Sequence, residues 1–197
     1  MPNVQPLVDH IKKQMDLSQD EEEYLTSLLS VKTFRKRQFV DQPGYVSRYR
    51  NYVVSGALRA YVIGSDGQDH TISLAIEDWF IGDPGSYMSQ ESATLFVEAM
   101  EDCTLIQLSF DNEQLLMETM PKFERYFRIR AHKTAVNFQK RVLSNISETA
   151  EERYENFISK YPQLVSRFPL YVIASYLGMS REFLSRIRNT RSNQKTV

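Results

Sequence analysis

From Leu170 to Asn189 the chain reads LYVIASYLGMSREFLSRIRN. Apolar residues recur at helical spacing through Tyr171–Leu177, give way at Gly178-Met179-Ser180, and resume through Arg181–Arg188, the pattern of two short helices joined by a tight turn. Gly178 can take the left-handed conformation that closes the first helix, and the Ser180 hydroxyl can cap the second. Ile173, Ala174, Leu177, Leu184 and Ile187 are placed to form a small core between the two, with Ala174 leaving room for a close crossing. The second helix then carries Arg181, Glu182, Ser185, Arg186 and Arg188 near its N-terminal end and outer side, where a recognition helix meets base edges in the major groove. Arginine suits the paired acceptors of guanine, and glutamate accepts from the amino group of cytosine. The plainer alternative is an αα-hairpin with a solvated basic face, and the Ser-Arg-Glu start and the basic surroundings weigh against it.

Those surroundings are visible in the charge. The net charge of the 197-residue chain is −1. Residues 1–110, however, carry 9 Lys/Arg against 16 Asp/Glu, and residues 111–197 carry 15 against 9. From Asn156 onward, Lys160, Arg167, Arg181, Arg186, Arg188, Arg191 and Lys195 face the lone acid Glu182. A basic end on an acidic body points to a polyanionic partner for that end.

Upstream lies a long helical stretch opened by Pro121 at a first-turn position. Phe123, Phe127, Ala131, Thr134, Phe138 and Val142 follow one another at steps of three and four, while Lys122, Arg125, Arg128, Lys133 and Lys140 take the other faces. A helix of about 25 residues at 1.5 Å each spans almost 40 Å, more than one small domain can cover. The narrow apolar seam is therefore expected to pair with a second copy of itself.

Between Phe34 and Leu108 the rhythm changes to short runs rich in Val, Ile, Tyr, Phe and Thr, separated by Gly, Pro, Asp and Ser clusters. Strands are predicted near Phe34–Val40, Tyr49–Val54, Ala57–Ile63, His70–Ala75, Trp79–Ile81, Thr94–Met100 and Thr104–Leu108. So many strands joined by tight turns favour a sandwich or antiparallel roll over a parallel sheet. Before them, residues 4–30 read as two helices. Ser18 with Glu21 three residues on forms a capping box that opens the second, which is predicted to run through Leu29.

The composition, 42% hydrophobic and 25% charged, is that of an ordinary globular chain. No apolar run reaches the roughly 18 residues needed to cross a bilayer, and the first residues lack a secretory pattern, so a cytoplasmic protein with no membrane partner is expected. Cys103 is the only cysteine, and His10, His70 and His132 share no ligand spacing, so neither a metal site nor a cofactor is expected. No nucleophile motif or phosphate-cradling loop is present either, which argues against an enzyme.

The helix-turn-helix pattern resembles that of the Crp/Fnr transcription regulators. Gly178-Met179-Ser180-Arg181-Glu182 followed by Arg186 is similar to the family's Gly-x-Ser-Arg-Glu and later Arg. Tyr52-Val53-Val54-Ser55-Gly56-Ala57-Leu58-Arg59 looks like its barrel strand and glycine turn, and Asp78-Trp79-Phe80-Ile81-Gly82-Asp83 like the opening of its phosphate-binding cassette. The resemblance implies an α+β architecture: a double-stranded β-helix or jelly-roll sensor of the cyclic-nucleotide-binding type in residues 1–120, a dimerisation helix in 121–147 and a helix-turn-helix DNA-binding domain in 148–197. It also implies an effector pocket built from Gly82, Asp83, Ala93, Thr94 and, on the long helix, Asn137.

Two departures qualify those expectations. The cassette's Glu is replaced by Asp83, and its phosphate-neutralising arginine falls on Ala93, just before Thr94, with Glu91 close by. An anion buried there without a cation would cost several kcal/mol, so cAMP and cGMP are not expected as ligands, and any small-molecule effector is of another kind. Second, family members continue into a two-stranded wing, whereas Thr190 to Val197 are polar and without strand pattern, so a missing wing is expected, with weaker phosphate contact. The resulting expectation is a homodimer reading a near-palindromic operator in double-stranded DNA. The alternative is a ligand-sensing or protein-interaction module of the same fold that no longer contacts DNA.

Overall fold

The computed structural model describes the backbone of residues 3–194 and the side chains through Thr190. It divides into two compact units, one of Met1–Val62 with Ser73–His132 and one of Ile63–Ile72 with Lys133–Val197.

The first unit is an antiparallel roll of two four-stranded sheets. Its strands are β1 (Leu29–Phe34), β2 (Phe39–Asp41), β3 (Tyr49–Ser55), β4 (Leu58–Ile63), β5 (Asp69–Ala75), β6 (Phe80–Ile81), β7 (Phe96–Ala99) and β8 (Cys103–Ser109). One sheet has the order β1-β8-β3-β6 and the other β2-β7-β4-β5. Alternation along the strands turns Val53 and Leu105 of one sheet and Leu58, Ala60, Val97 and Ala99 of the other into a common interior, all fully buried. The tight turn between β3 and β4 depends on Gly56, whose φ is +99° and where a Cβ would lie 2.5 Å from Cys103 Sγ and 2.7 Å from the Asp102 carbonyl oxygen.

A second core forms where helices cover the β1-β8-β3-β6 sheet. Helices α1 (Gln5–Lys12), α2 (Gln19–Ser27), α4 (Phe110–Thr119) and the start of α5 (Lys122–Ser147) place Leu7, Val8, Leu25, Leu116 and Phe123 against Tyr52 and Ile106. Between α2 and α4 in sequence lies the short helix α3 (Pro84–Ser89). Ser18 and Glu21 make the predicted capping box at the start of α2. Half-buried Arg50 forms an ion pair with buried Glu113 and lies 4.9 Å from the ring centroids of both Tyr87 and Phe127, so its charge is partnered and its stem covered.

In the second unit, α6 (Ala150–Lys160), α7 (Pro162–Arg167), α8 (Leu170–Tyr176) and α9 (Arg181–Gln194) enclose Tyr154, Phe157, Leu164, Val172, Ile173 and Leu184. Thr149 and Glu152 form a capping box on α6.

Several boundaries differ from the sequence-based expectation. The run Phe34–Val40 is not one strand but the end of β1, a turn at Arg35–Gln38 and the start of β2. Arg37 adopts a left-handed φ of +72° there, and the Lys36 amide donates to the Asp102 carboxylate at 2.8 Å. Arginine and lysine carry no turn signature, so long-range hydrogen bonds made the bend. The second helix ends at Ser27 rather than Leu29, which pairs with Leu108 as the first residue of β1. The stretch Thr190 to Val197 continues α9 as far as Gln194, and residues 195–197 lie outside the described residues.

Candidate nucleic-acid interface and effector cassette

The turn between α8 and α9 is built as the sequence requires. Gly178 has a φ of +66°, the Met179 amide reaches back to the Ala174 carbonyl at 3.0 Å, and the Gly178 amide to the Ser175 carbonyl at 3.1 Å. This is a Schellman closure, and the left-handed residue it needs is the glycine. One residue beyond, the Ser180 hydroxyl accepts the Phe183 amide at 3.1 Å and caps α9. Val172, Ile173, Ala174, Leu177 and Leu184 are buried at the helix crossing, while Ile187 is half-buried.

That packing leaves Ser180, Arg181, Glu182, Arg186 and Arg188 exposed and Ser185 half-buried. Arg186 lies over the Phe183 ring at 5.2 Å, which orients the guanidinium along the first two turns of the helix. The exposed end of α9 thus presents two arginines and a glutamate on a short, firmly capped helix.

Two residues overlooked in the sequence hold the neighbouring helix. Ser175, in the otherwise apolar α8, accepts the Thr71 amide at 2.8 Å and donates to the Asp69 carbonyl at 2.7 Å. Arg141 of α5 donates to the carbonyls of Thr71, at 2.9 Å, and Ile72, and stacks over Tyr176 at 4.3 Å. The tip of the β4–β5 hairpin is thereby tied to both α5 and α8. Backbone carbonyls are invisible to sequence patterning, so the partners of Arg141 and Ser175 had no readable signal.

The apolar seam of α5 has two parts. Phe123 is fully buried in the core of its own chain and Phe127 packs against that core, so neither is free for a second copy. From Ala131 to Ser147 the helix is exposed except at half-buried Arg141 and Ser144, and the exposed residues include Thr134, Phe138 and Val142. Val136, Leu143 and Ile146 extend the apolar surface, Ile146 being 79% exposed. Phe123 and Phe127 share the spacing of this seam, so periodicity alone could not separate core from surface.

In the cassette, Gly82, Asp83, Ala93 and Thr94 are brought together; Asn137 is exposed on α5 in the second unit. Asp83 is 4% exposed. Its Oδ2 accepts the amides of Thr94 and Leu95, at 2.8 and 3.0 Å, and the Thr94 hydroxyl at 3.1 Å, while its Oδ1 accepts the Ser86 amide at 3.1 Å. Burial works against the carboxylate, but these donors outweigh it and hold the Asp83 carboxyl below its ordinary range. The donors that could greet an anion at this loop are already engaged by a carboxylate of the chain itself. Glu91, by contrast, is exposed, and its backbone carbonyl accepts the Ser86 hydroxyl while its amide donates to the Ser89 hydroxyl at 3.3 Å.

Beside it, Asp41 is in the opposite state. Its Oδ2 is buried without a hydrogen-bond partner. Burial, reinforced by the Asp83 charge and only partly offset by the Ser47 hydroxyl and the Asp83 amide, raises its pKa to about 6. Between pH values of about 4 and 6 the folded chain therefore keeps a proton that the unfolded chain releases, and stability falls as pH rises through that window. The Asp41→Asn variant should escape this decline and gain up to about 3 kcal/mol over the wild type at pH 7, with little gain below pH 4. Urea denaturation of both proteins at the two ends of the window measures it; an equal gain at both ends would refute the titration of Asp41.

No protein-family model matches the sequence, and no curated protein matches it. Solved structures do match in fold. FixK2 from Bradyrhizobium japonicum superposes with a TM-score of 0.76 at 19% identity, covering 85% of this chain and 86% of that one. CLP, the c-di-GMP responsive global regulator from Xanthomonas campestris, gives 0.69 at 16% identity over 90% and 93% of the two chains. A crp/fnr family regulator from Eubacterium rectale gives 0.70 at 15% identity over 91% and 85%. The chain therefore has the fold of the Crp/Fnr regulators: a β-roll of the cyclic-nucleotide-binding type, a long helix and a C-terminal helix-turn-helix. No described helix is long and apolar enough to cross a membrane.

Proposed function

We propose that this chain is a homodimeric, sequence-specific DNA-binding transcription regulator of the Crp/Fnr type, acting in the cytoplasm and not responding to cyclic mononucleotides. The observation that carries the proposal is the end of α9, where Ser180 caps the helix and Arg181, Glu182 and Arg186 stand exposed on a scaffold fixed by Gly178. Such a helix has the donors and acceptor to read guanine and cytosine edges, and the basic character of the surrounding sequence favours the phosphate backbone. The exposed stretch of α5 from Ala131 to Ile146 supplies the dimer contact, so two readers would meet half-sites about one helical turn apart. Selection of bound duplexes from a random pool tests the whole reading, with a near-palindrome as the expected product. Failure to retain the protein on heparin or random duplex at low salt would favour an interaction module that no longer contacts DNA.

The sensor part of the proposal rests on Asp83. A cyclic phosphate entering the cassette would have to displace a carboxylate from three donors and would find Ala93 where a cation is needed. Calorimetry with cAMP and cGMP at millimolar ligand should therefore show no saturable heat, and micromolar affinity for either would remove this part of the reading. An effector of different chemistry is left open by the same geometry.

A further inference from the structure

The bend between β1 and β2 gathers the densest exposed positive charge of the first unit. Arg35, Lys36 and Arg37 occupy successive positions, with Lys32 on the adjoining strand, and all four are exposed. None of the four side chains has an ion-pair partner among the described residues. The backbone beneath them is tightly held. The Arg35 amide donates to Gln38 Oε1 at 2.7 Å, Lys36 to Asp102 at 2.8 Å and Arg37 to the Ala99 carbonyl at 2.7 Å, while Gln38 closes the turn on the Arg35 carbonyl at 3.0 Å. The acidic groups around it include Asp102, which carries the Lys36 amide, Glu101 beside it in sequence, Glu98, which stands opposite Phe39 in the β2–β7 register and is ion-paired with Arg59, and the recessed Asp41.

The turn joins Phe34 to Gln38, and both of these, with Lys32, line a cleft of about 740 Å³ running between β1 and β2. Each strand is the outer edge of its own sheet, so each offers unpaired backbone groups to an added strand. Phe39 and Tyr45, 42% and 66% exposed, line the same cleft.

We propose that this cleft and its cationic turn dock an acidic, extended segment of another protein carrying aromatic or large aliphatic side chains. The four cations would pair with its carboxylates, the strand edges with its backbone, and Phe39 and Tyr45 with its apolar side chains. A nucleic acid fits the surroundings less well. The sequence to residue 110 carries seven more acids than bases, so a long polyanion would be repelled beyond the turn, whereas a short acidic segment meets only the local positive charge.

The test uses the full chain, a labelled twelve-residue peptide of alternating Glu and Tyr, the matching Lys and Tyr peptide, and a labelled single-stranded DNA, with binding read by fluorescence anisotropy at low salt. The Glu-Tyr peptide should bind at least about tenfold more tightly than the Lys-Tyr peptide, and the single strand should bind wild type and the variant below equally. The triple variant Arg35→Gln, Lys36→Gln, Arg37→Asn should lose that preference roughly tenfold, since asparagine tolerates the left-handed turn and keeps the fold. The melting temperature and duplex DNA binding of the variant should match the wild type. Absent peptide binding, equal binding by the variant, or tighter binding of the single strand at the turn would each overturn the proposal.

Discussion

Replacing Arg181 and Arg186 together with alanine should abolish sequence-specific DNA binding while leaving a folded dimer. Both side chains are exposed, and the buried residues of the crossing, Val172, Ile173, Ala174, Leu177 and Leu184, are untouched, so the helix pair keeps its packing. The cap on α9 also survives, because it is made by Ser180 and the Phe183 amide. A bidentate arginine contact to guanine is worth about 1–3 kcal/mol, and a dimer makes each contact twice, so affinity for the selected operator should fall by at least about 100-fold. Binding to random duplex should weaken much less, because it rests on net charge. Titration of wild type and variant on the selected operator and on a scrambled duplex at one salt concentration separates the two effects. Unaltered operator binding would exclude these arginines as readers.

A charge placed in the exposed seam of α5 should have an effect of similar size by another route. Phe138 and Val142 lie one turn apart, 41% and 55% exposed in the single chain, so changing both to aspartate disturbs no intrachain core. In a two-fold pairing each would be buried twice, and each apolar side chain removed from water contributes about 1.5–3 kcal/mol. The dimer dissociation constant should then rise by a factor on the order of 1,000 or more, with carboxylates facing each other adding to the loss. Sedimentation at micromolar concentration should report a single chain with unchanged circular dichroism, and operator affinity should fall with it. A variant that remains dimeric would place the pairing surface elsewhere.

The same seam shows where periodicity stops being informative. Phe123, Phe127, Ala131, Thr134, Phe138 and Val142 carry one pattern in the sequence, yet the chain's own core takes the first two and leaves the rest uncovered. Spacing determines which face of a helix is apolar. What covers that face depends on where the β1-β8-β3-β6 sheet and helices α1, α2 and α4 end, which no local pattern records.

The cassette gives a parallel case. The replacement of the expected arginine by Ala93 was legible and was enough to argue against a cyclic phosphate. That Asp83 turns back onto the amides of Thr94 and Leu95 was not, because it depends on the ten residues between Asp83 and Thr94 folding into α3 and its following loop. Asp41 and Asp83 look alike in sequence and end on opposite sides of the ordinary carboxylate range. One is buried with four donors and the other with too few.

Sequence alone determined the elements whose causes are local: the glycine closure and serine cap of the helix-turn-helix, the capping box of α2, the strand rhythm of the roll and the acidic-to-basic gradient. Each depends on side chains within about four residues of one another, or on composition. Tertiary structure decided the rest: the bend at Arg35–Gln38, the grip of Arg141 and Ser175 on the hairpin tip, the occupant of the cassette and the free length of the seam. These rest on backbone amides and carbonyls brought together from distant parts of the chain, and every residue type presents the same backbone until the fold chooses its neighbours.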